Sequence, residues 1–197
     1  AVKKEIEMRK PFNDEPVEDL VLKMLKQHKT VLNLRLKYIG DDGLKYISSN
    51  EDLRNLRQLN LERNEITAKG IRSLAESKII VGLEALHLER NNIGDEGVKL
   101  IAQSSNFQRL KTLNLWKCNV GSEGALEIGL SLYLSSLKRL DIAENHIGDK
   151  GAKSLADSPG LTDLRSLEVV NNGLTEEGKT ALQESNTLSK LEALVIG

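Results

Sequence analysis

The sequence contains few residues of the kinds that build disulfides, metal sites or membrane spans. Its 197 residues include one cysteine, three histidines, one tryptophan and only 3% aromatic residues in all. A single cysteine, Cys118, excludes an intramolecular disulfide and a cysteine-based metal cluster. No apolar run approaches the roughly 20 residues that a membrane-spanning helix requires. We therefore expect no metal, no cofactor and no membrane partner.

The same scarcity bears on where the protein works. A lone cysteine fits a reducing compartment, and we expect the protein in the cytoplasm. The chain begins at Ala1 rather than at a methionine. Removal of a leader, or delivery of the protein as an effector, is therefore an alternative.

The sequence also has no excess of charge of either sign. The 28 Lys and Arg residues nearly cancel the 29 Asp and Glu residues, which gives a formal net charge of -1. Recognition of a polyanion through a global basic excess is not expected, so we predict no nucleic-acid partner. Leucine is abundant instead, in a chain that is 39% hydrophobic. Such a chain can bury enough apolar surface to fold, and its interior must be built of leucine.

Glycine and leucine recur with a 27-residue period. We call each set of equivalent positions a column. One unit reads LxxLxLxxNxIxxxGxxxL, as in residues 56–74. The glycine column is Gly43, Gly70, Gly97, Gly124, Gly151 and Gly178, and the strand-leucine column is Leu32, Leu59, Leu86, Leu113, Leu140, Leu167 and Leu194.

Each unit predicts one strand and one helix. In its first half, apolar residues alternate with other residues, as in a strand. Its second half has the apolar spacing and capping residue of a short helix, for example in the segment that begins at Thr67. One unit cannot bury its leucines alone, but stacked units share a core. We predict a right-handed α/β solenoid, shaped like a horseshoe, with parallel strands on the concave face and helices on the convex face. Residues 1–28 form an N-terminal segment and capping helix, and residues 29–197 form six full units and a partial seventh.

A polar column follows the strands, where the chain turns into the core and leaves backbone groups unpaired. A stacked amide can satisfy those groups, so we assign this column a structural role. A cysteine replaces asparagine in the fourth unit, and we expect a structural thiol there rather than a reactive one. The asparagine column consists of Asn64, Asn91, Cys118, Asn145 and Asn172.

These units resemble leucine-rich repeats, and the "NxIGDEG" and "LxxLA" elements are most similar to those of the ribonuclease-inhibitor-like subfamily. The resemblance covers residues 29–197. It implies a protein-binding scaffold, since members of the family mostly bind proteins, although the partners differ. Two features depart from the ribonuclease inhibitor itself. The period is shorter than its alternating repeats, and the seventh unit contains only a strand.

The two ends of the solenoid differ. Residues 16–27 predict an amphipathic helix that caps the first unit, with a partner-binding helix as the alternative. Its apolar face contains Val17, Leu20, Val21, Met24 and Leu25.

Residues 1–10 are charge-rich and could be mobile or form a short edge strand. Residues 191–197 predict a strand with an unpaired edge. We expect a monomer; pairing of two chains through this edge, or a longer natural chain, is the alternative.

Outward-pointing strand side chains are free of core packing, so binding specificity is expected on the concave face. Trp116 lies in this face near the middle of the stack, beside Ala143 and Val170 of the following units. Neighbouring strands are ~4.8 Å apart. We therefore predict an apolar stripe in which Trp116 anchors a protein partner. The alternative is that Trp116 only covers neighbouring side chains.

Charged and polar side chains surround this stripe, and we expect them to orient the partner, with pairing among themselves as the alternative. The face is mildly basic in its N-terminal half and acidic in its C-terminal half. His87 and Asp141 share the face, but no Ser or Cys nucleophile accompanies them, so we interpret them as part of a polar row. The surrounding residues are Glu62, Arg63, His87, Glu89, Arg90, Asn114, Lys117 and Asp141.

The sequence thus predicts a non-enzymatic scaffold that binds a protein, not identified by the sequence, on its concave face. A GTPase-activating regulator is one alternative, because the Ran GTPase-activating protein has a similar fold, although no residue motif carries that activity over. The recognition segment of a larger effector or immune receptor is another.

Overall fold

A computed structural model describes residues 15–197, and within them seven parallel strands form one sheet in chain order. Each strand pairs with the equivalent strand of the next unit, so that Leu32 lies beside Leu59 and Leu140 lies beside Leu167. Helices connect successive strands and pack against one another. The predicted α/β solenoid is confirmed. The interpretation of residues 1–10 lies outside the described residues.

The elements are short and regularly spaced. The strands are β1 (Val31–Asn33), β2 (Gln58–Asn60), β3 (Ala85–His87), β4 (Thr112–Asn114), β5 (Arg139–Asp141), β6 (Ser166–Glu168) and β7 (Ala193–Val195). The helices are α1 (Val17–Leu25), α2 (Gly40–Ser49), α3 (Ala68–Ala75), α4 (Gly94–Gln103), α5 (Ser122–Leu130), α6 (Gly148–Ala156) and α7 (Glu176–Gln183). Two 3-10 helices, Glu51–Leu53 and Ser105–Phe107, follow α2 and α4.

Leucine fills the interior between the sheet and the helices. The middle residue of a strand points inward and its two neighbours point outward, as the pleat requires. Leu59 and Leu61 are fully buried, whereas Gln58 is exposed and Asn60 is half-buried. Phe107 is the largest fully buried side chain of the described residues. The expected leucine interior is therefore confirmed, with one aromatic side chain added to it.

The asparagine column joins each unit to the preceding one. The Oδ1 atom of Asn91 accepts the N–H groups of Asn64 and Ile66, each at 3.0 Å. Its Nδ2 group donates to the carbonyl of Leu61 in the preceding unit and to that of Leu88 in its own unit, each at 2.8 Å. Asn64, Asn145 and Asn172 make equivalent bonds. One buried amide thus satisfies backbone groups of two units, as predicted.

Cys118 performs only part of this role. Its thiol donates to the carbonyl of Leu88 at 3.1 Å, in place of an amide Nδ2 group. Sulfur is a weaker acceptor than an amide oxygen, so the preceding unit is held less firmly here. Burial raises the pKa of the Cys118 thiol to about 12, and a thiol with such a pKa is a poor nucleophile at neutral pH.

A second polar column, made of serines, lies at the opposite edge of the solenoid and was not predicted. Each serine hydroxyl donates to a carbonyl near the end of the preceding unit's helix, where carbonyls lack intrahelical partners. Ser77 donates to Ser48, and Ser158 donates to Gly129 at 2.7 Å. The serine column consists of Ser77, Ser104, Ser131, Ser158 and Ser185.

The helices begin in two alternating ways, so the units are of two kinds. Units one, three and five enter their helices through a glycine with φ near +60°. Units two, four and six have instead an extended residue at the N-cap. The glycines are Gly40, Gly94 and Gly148, and the extended residues are Thr67, Gly121 and Thr175. The structural repeat is therefore a pair of units rather than a single one.

An aspartate links the two kinds of unit. The Oδ1 atom of Asp41 accepts the N–H groups of Thr67 at 2.8 Å and Gly70 at 3.0 Å, at the start of the next helix. A Cβ atom on Gly70 would lie 2.5 Å from that oxygen, which explains the glycine. Asp149 makes the equivalent bonds with the next unit, and its hydrogen bonds with Thr175 lower the pKa of its carboxyl.

The ends of the described chain differ in burial. The helix α1 contacts β1 and α2 and buries Leu20 and Val21, as expected of a helix that covers the first unit. At the other end, Leu194 and Ile196 are only half-buried, although the equivalent residues of earlier units are fully buried. The strand β7 pairs with β6 alone among the described residues.

Replacement of Cys118 by asparagine tests the role of the asparagine column. We expect Cys118→Asn to raise the free energy of unfolding by about 1 kcal/mol, because an amide restores an acceptor that the thiol supplies poorly. Cys118→Ala, which removes the donor as well, should lower it. Urea denaturation of the three proteins measures both differences. A Cys118→Asn variant less stable than Cys118→Ala would contradict this account.

Candidate partner-binding site

Side chains of five adjacent strands, β2 to β6, line a cavity of about 480 Å³ on the concave face. The residues after the strand leucines form its middle row, in the order His87, Asn114, Asp141 and Glu168, each beside the next in the parallel register. Trp116 follows Asn114 of this row by two positions. The predicted polar row thus lines the cavity, whereas the predicted anchor follows the row along the chain and is not one of the residues that line the cavity.

The row residues also fix the turn that carries Trp116. The Oδ1 atom of Asn114 accepts the backbone N–H of Trp116 at 2.9 Å. Asn33 and Asn60 accept the equivalent N–H groups in the first two units. Asp141 does the same for Ala143 at 3.0 Å. Short Asn and Asp side chains favour such local turns, so the backbone sets the position of each following side chain.

Trp116 is stacked against a neighbour rather than free. The guanidinium carbon of Arg90 lies 4.4 Å from the centroid of the Trp116 ring, which is a cation-π geometry. Both side chains are half-buried, and the Nε atom of Arg90 is buried without a hydrogen-bond partner. Arg90, which we predicted to orient a partner, therefore holds the anchor in place.

The predicted apolar stripe is shorter than expected. Ala143 is only 7% exposed, so it forms part of the floor under the surface rather than a contact for a partner. Val170 is half-buried, like Trp116. The expectation that Ala143 contributes accessible surface was wrong, because its small side chain does not reach past its neighbours. Trp116 and Val170 are the accessible apolar members.

Several basic side chains near the site are engaged in contacts within the chain. Arg35 pairs with Glu62 at 3.0 Å, and Lys117 pairs with Glu144 at 3.2 Å. Arg63 lies farther from Glu62, at 4.0 Å. The exposed pair of Lys117 and Glu144 contributes little to stability, whereas the Glu62 side chain is only 13% exposed. Part of the predicted charge pattern is thus paired within the chain, which was the alternative interpretation of these columns.

The acidic side chains of the site are less well paired. Asp141 and Glu168 make no ion pair with any described residue. The Oε1 atom of Glu89 lies 3.3 Å from Nδ1 of His87, while its Oε2 atom is buried without a partner. Burial raises the pKa of the Asp141 carboxyl, and the negative charges of Glu168 and Glu89 raise it further. The local charge of Asp141 and Glu168 is therefore not balanced by an ion pair with a described residue.

An exposed apolar patch lies outside the concave face, and sequence reasoning missed it. Leu132 is 82% exposed and Leu130 is 60% exposed, with Tyr133 beside them in the loop after α5. The sequence did contain a signal of this patch, because the positions equivalent to Leu130 are polar in the other units. Those residues are Ser49, Glu76, Gln103, Asp157 and Glu184.

Between residues 15 and 197, no group of three or more His, Cys, Asp or Glu side chains could hold a metal ion. No helix in that range is long and apolar enough to cross a bilayer.

Replacement of Asp141 by asparagine tests the charge imbalance. Because the folded-state pKa is raised, the ionised carboxylate destabilises the fold increasingly as pH rises from about 4, the usual value for an unfolded Asp, through the raised value. We expect Asp141→Asn, which keeps the bond from Ala143, to be at least as stable as wild type at pH 7. This gain should vanish below about pH 3.

Urea denaturation at several pH values measures this difference, and Asn114→Asp is the matched control. That variant adds a carboxylate beside Asp141 on the neighbouring strand and should be less stable at pH 7. A marked loss of stability in Asp141→Asn at pH 7 would mean that a cation within the chain already balances Asp141.

Comparison with known proteins gives one clear result. The family model described as "Leucine Rich repeat" matches residues 52–75, 83–102, 108–129 and 133–156. Each matched segment contains one strand and nearly all of the following helix. No curated protein matches the chain. With its single parallel sheet, its alternating helices and these four matches, the chain is an α/β leucine-rich-repeat solenoid.

Proposed function

We propose that the chain is a non-enzymatic interaction scaffold whose concave face, around β3 to β6, binds a protein partner. Leucine-rich repeats are generally protein-interaction modules. The observation that carries the proposal for this face is Trp116, the one tryptophan of the chain, which lies half-exposed near the middle of the sheet. Large aromatic side chains at the centre of a surface are frequent anchors of protein interfaces.

The stacking of Trp116 supports this proposal. An anchor that is already held in its binding position loses little conformational entropy when a partner arrives. Arg90 provides such a support from the preceding unit. The support is local, because the core columns and the asparagine column hold the fold without either side chain.

We also propose that these repeats belong to the ribonuclease-inhibitor-like subfamily. The elements Ile93–Gly97 and Ile147–Gly151 belong to one kind of unit, and the intervening units belong to the other. This alternation, in which the structural repeat is a pair of units, adds to the resemblance of the "NxIGDEG" element.

Affinity capture with Trp116 and Arg90 replaced tests the proposed function. We expect the Trp116→Ala, Arg90→Glu double variant to lose the proteins that wild type captures from lysate, with affinity reduced about 30-fold or more, as at an interface hot spot. Tyr133→Ala is the matched control, because it removes an exposed aromatic side chain outside the concave face. Thermal unfolding of all three proteins should be measured to check that each variant is folded.

Retention of the same proteins by the double variant would overturn the concave site. In that case loss of capture by Tyr133→Ala would direct attention to the patch around Leu132 instead.

A further inference from the structure

We infer that the partner presents a positively charged segment, with arginine or lysine side chains directed at Asp141 and Glu168. This inference rests on the proposed docking function of the concave face. It identifies the chemistry of the partner at that face, and four observations carry it.

The negative charge of Asp141 is not needed for the fold. Asn33, Asn60 and Asn114 occupy the same column and accept the same backbone N–H with a neutral amide. Asp141 makes that bond with one carboxylate oxygen, at 3.0 Å from the N–H of Ala143. Its charge is therefore additional to its structural role, and it has a cost, because the carboxylate is half-buried.

A second carboxylate lies directly beside the first. Glu168 is the parallel register partner of Asp141 on β6. Like charges in adjacent register positions repel each other. Glu168 makes no hydrogen bond or ion pair through its side chain with residues 15–197. Nothing in the described fold requires an acidic residue at this position.

The free charge of the site is negative, although the two signs are balanced in the sequence. Arg35 and Lys117 are paired with carboxylates, and Arg90 is stacked on Trp116. Arg139 is the exception, because it lines the same cavity and makes no ion pair with a described residue. The cavity is lined by the carboxylates Glu84, Asp141 and Glu168 and by the cations Lys111 and Arg139, and Lys111 is paired with Glu84. The lining therefore carries one more negative charge than positive charge.

The positions of these groups suit a cationic side chain. A guanidinium or ammonium group of a partner carries several hydrogen-bond donors, and the half-buried Asp141 and the exposed Glu168 present their carboxylates to the cavity. The cavity of about 480 Å³ gives such a side chain space beside the carboxylates. Trp116 does not line the cavity, but it follows Asn114, the register partner of Asp141, by two positions, so a segment that leaves the cavity past the end of β4 would reach the anchor.

Titration with short charged peptides tests this inference. The probe is a capped nonapeptide of alternating arginine and glycine, and a glutamate-glycine peptide of the same length is its counterpart. Calorimetry at low ionic strength measures binding, and the emission of Trp116, the one tryptophan, reports whether the peptide lies at the site. We expect the arginine peptide to bind, to change the Trp116 emission and to dissociate as salt is added. The glutamate peptide should not bind.

Two double variants locate the binding. Asp141→Asn with Glu168→Gln removes the two charges of the site, and binding should weaken on the order of tenfold or more. Asp157→Asn with Glu184→Gln is the matched control, because it makes the same change of net charge at two exposed residues outside the concave face. That control should bind as wild type does.

Three results would overturn the inference: no binding of the arginine peptide, equal binding by the two double variants, or preferential binding of the glutamate peptide. These failures differ from failure of the proposed function. If capture of a protein from lysate still requires Trp116 while the arginine peptide does not bind, the concave face is a docking site for a partner of other chemistry. If neither occurs, the proposed function fails as well.

Discussion

The rest of the structure depends on the hydrogen bonds that buried asparagine side chains make between successive units. A single repeat unit has too little apolar surface to fold alone, and its turn leaves backbone groups inside the core. Asn64, Asn91, Asn145 and Asn172 satisfy those groups across the boundary between units. Because backbone polar groups of one unit find their hydrogen-bond partners in the next, neither the turn nor the leucine core can form unless units stack.

This constraint also determines where function can lie. The inward positions are occupied by leucine and the turn positions by asparagine, so the residues that flank each strand leucine vary without cost to the core. Asp141 illustrates the point, because it performs the turn role of Asn114 and adds a charge. The site is therefore built from the variable residues that flank the strand leucines. Trp116, Asp141 and Glu168 are three such residues.

The sequence predicted most of the fold because the repeat has no insertion, so that each column could be assigned to the core, the turn or the surface. It did not predict the alternation of units, since the link from Asp41 to Gly70 runs between two different columns. It missed the serine column, whose hydroxyls act on the ends of preceding helices. Within the site, the burial of Ala143 and the stacking of Arg90 depend on side-chain packing, which spacing along the chain does not contain.

The most direct test of the account is the free energy of unfolding of an Asn145→Ala variant, followed by hydrogen exchange of its backbone amides. The change leaves the N–H groups of Cys118 and Val120 without their acceptor and the carbonyl of Leu115 without its donor. The account predicts a loss of about 3 kcal/mol or more, since each buried unsatisfied group costs roughly 1–3 kcal/mol. Exchange should increase at Cys118 and Val120. A loss below about 1 kcal/mol, less than the cost of one such group, with unchanged exchange would contradict it.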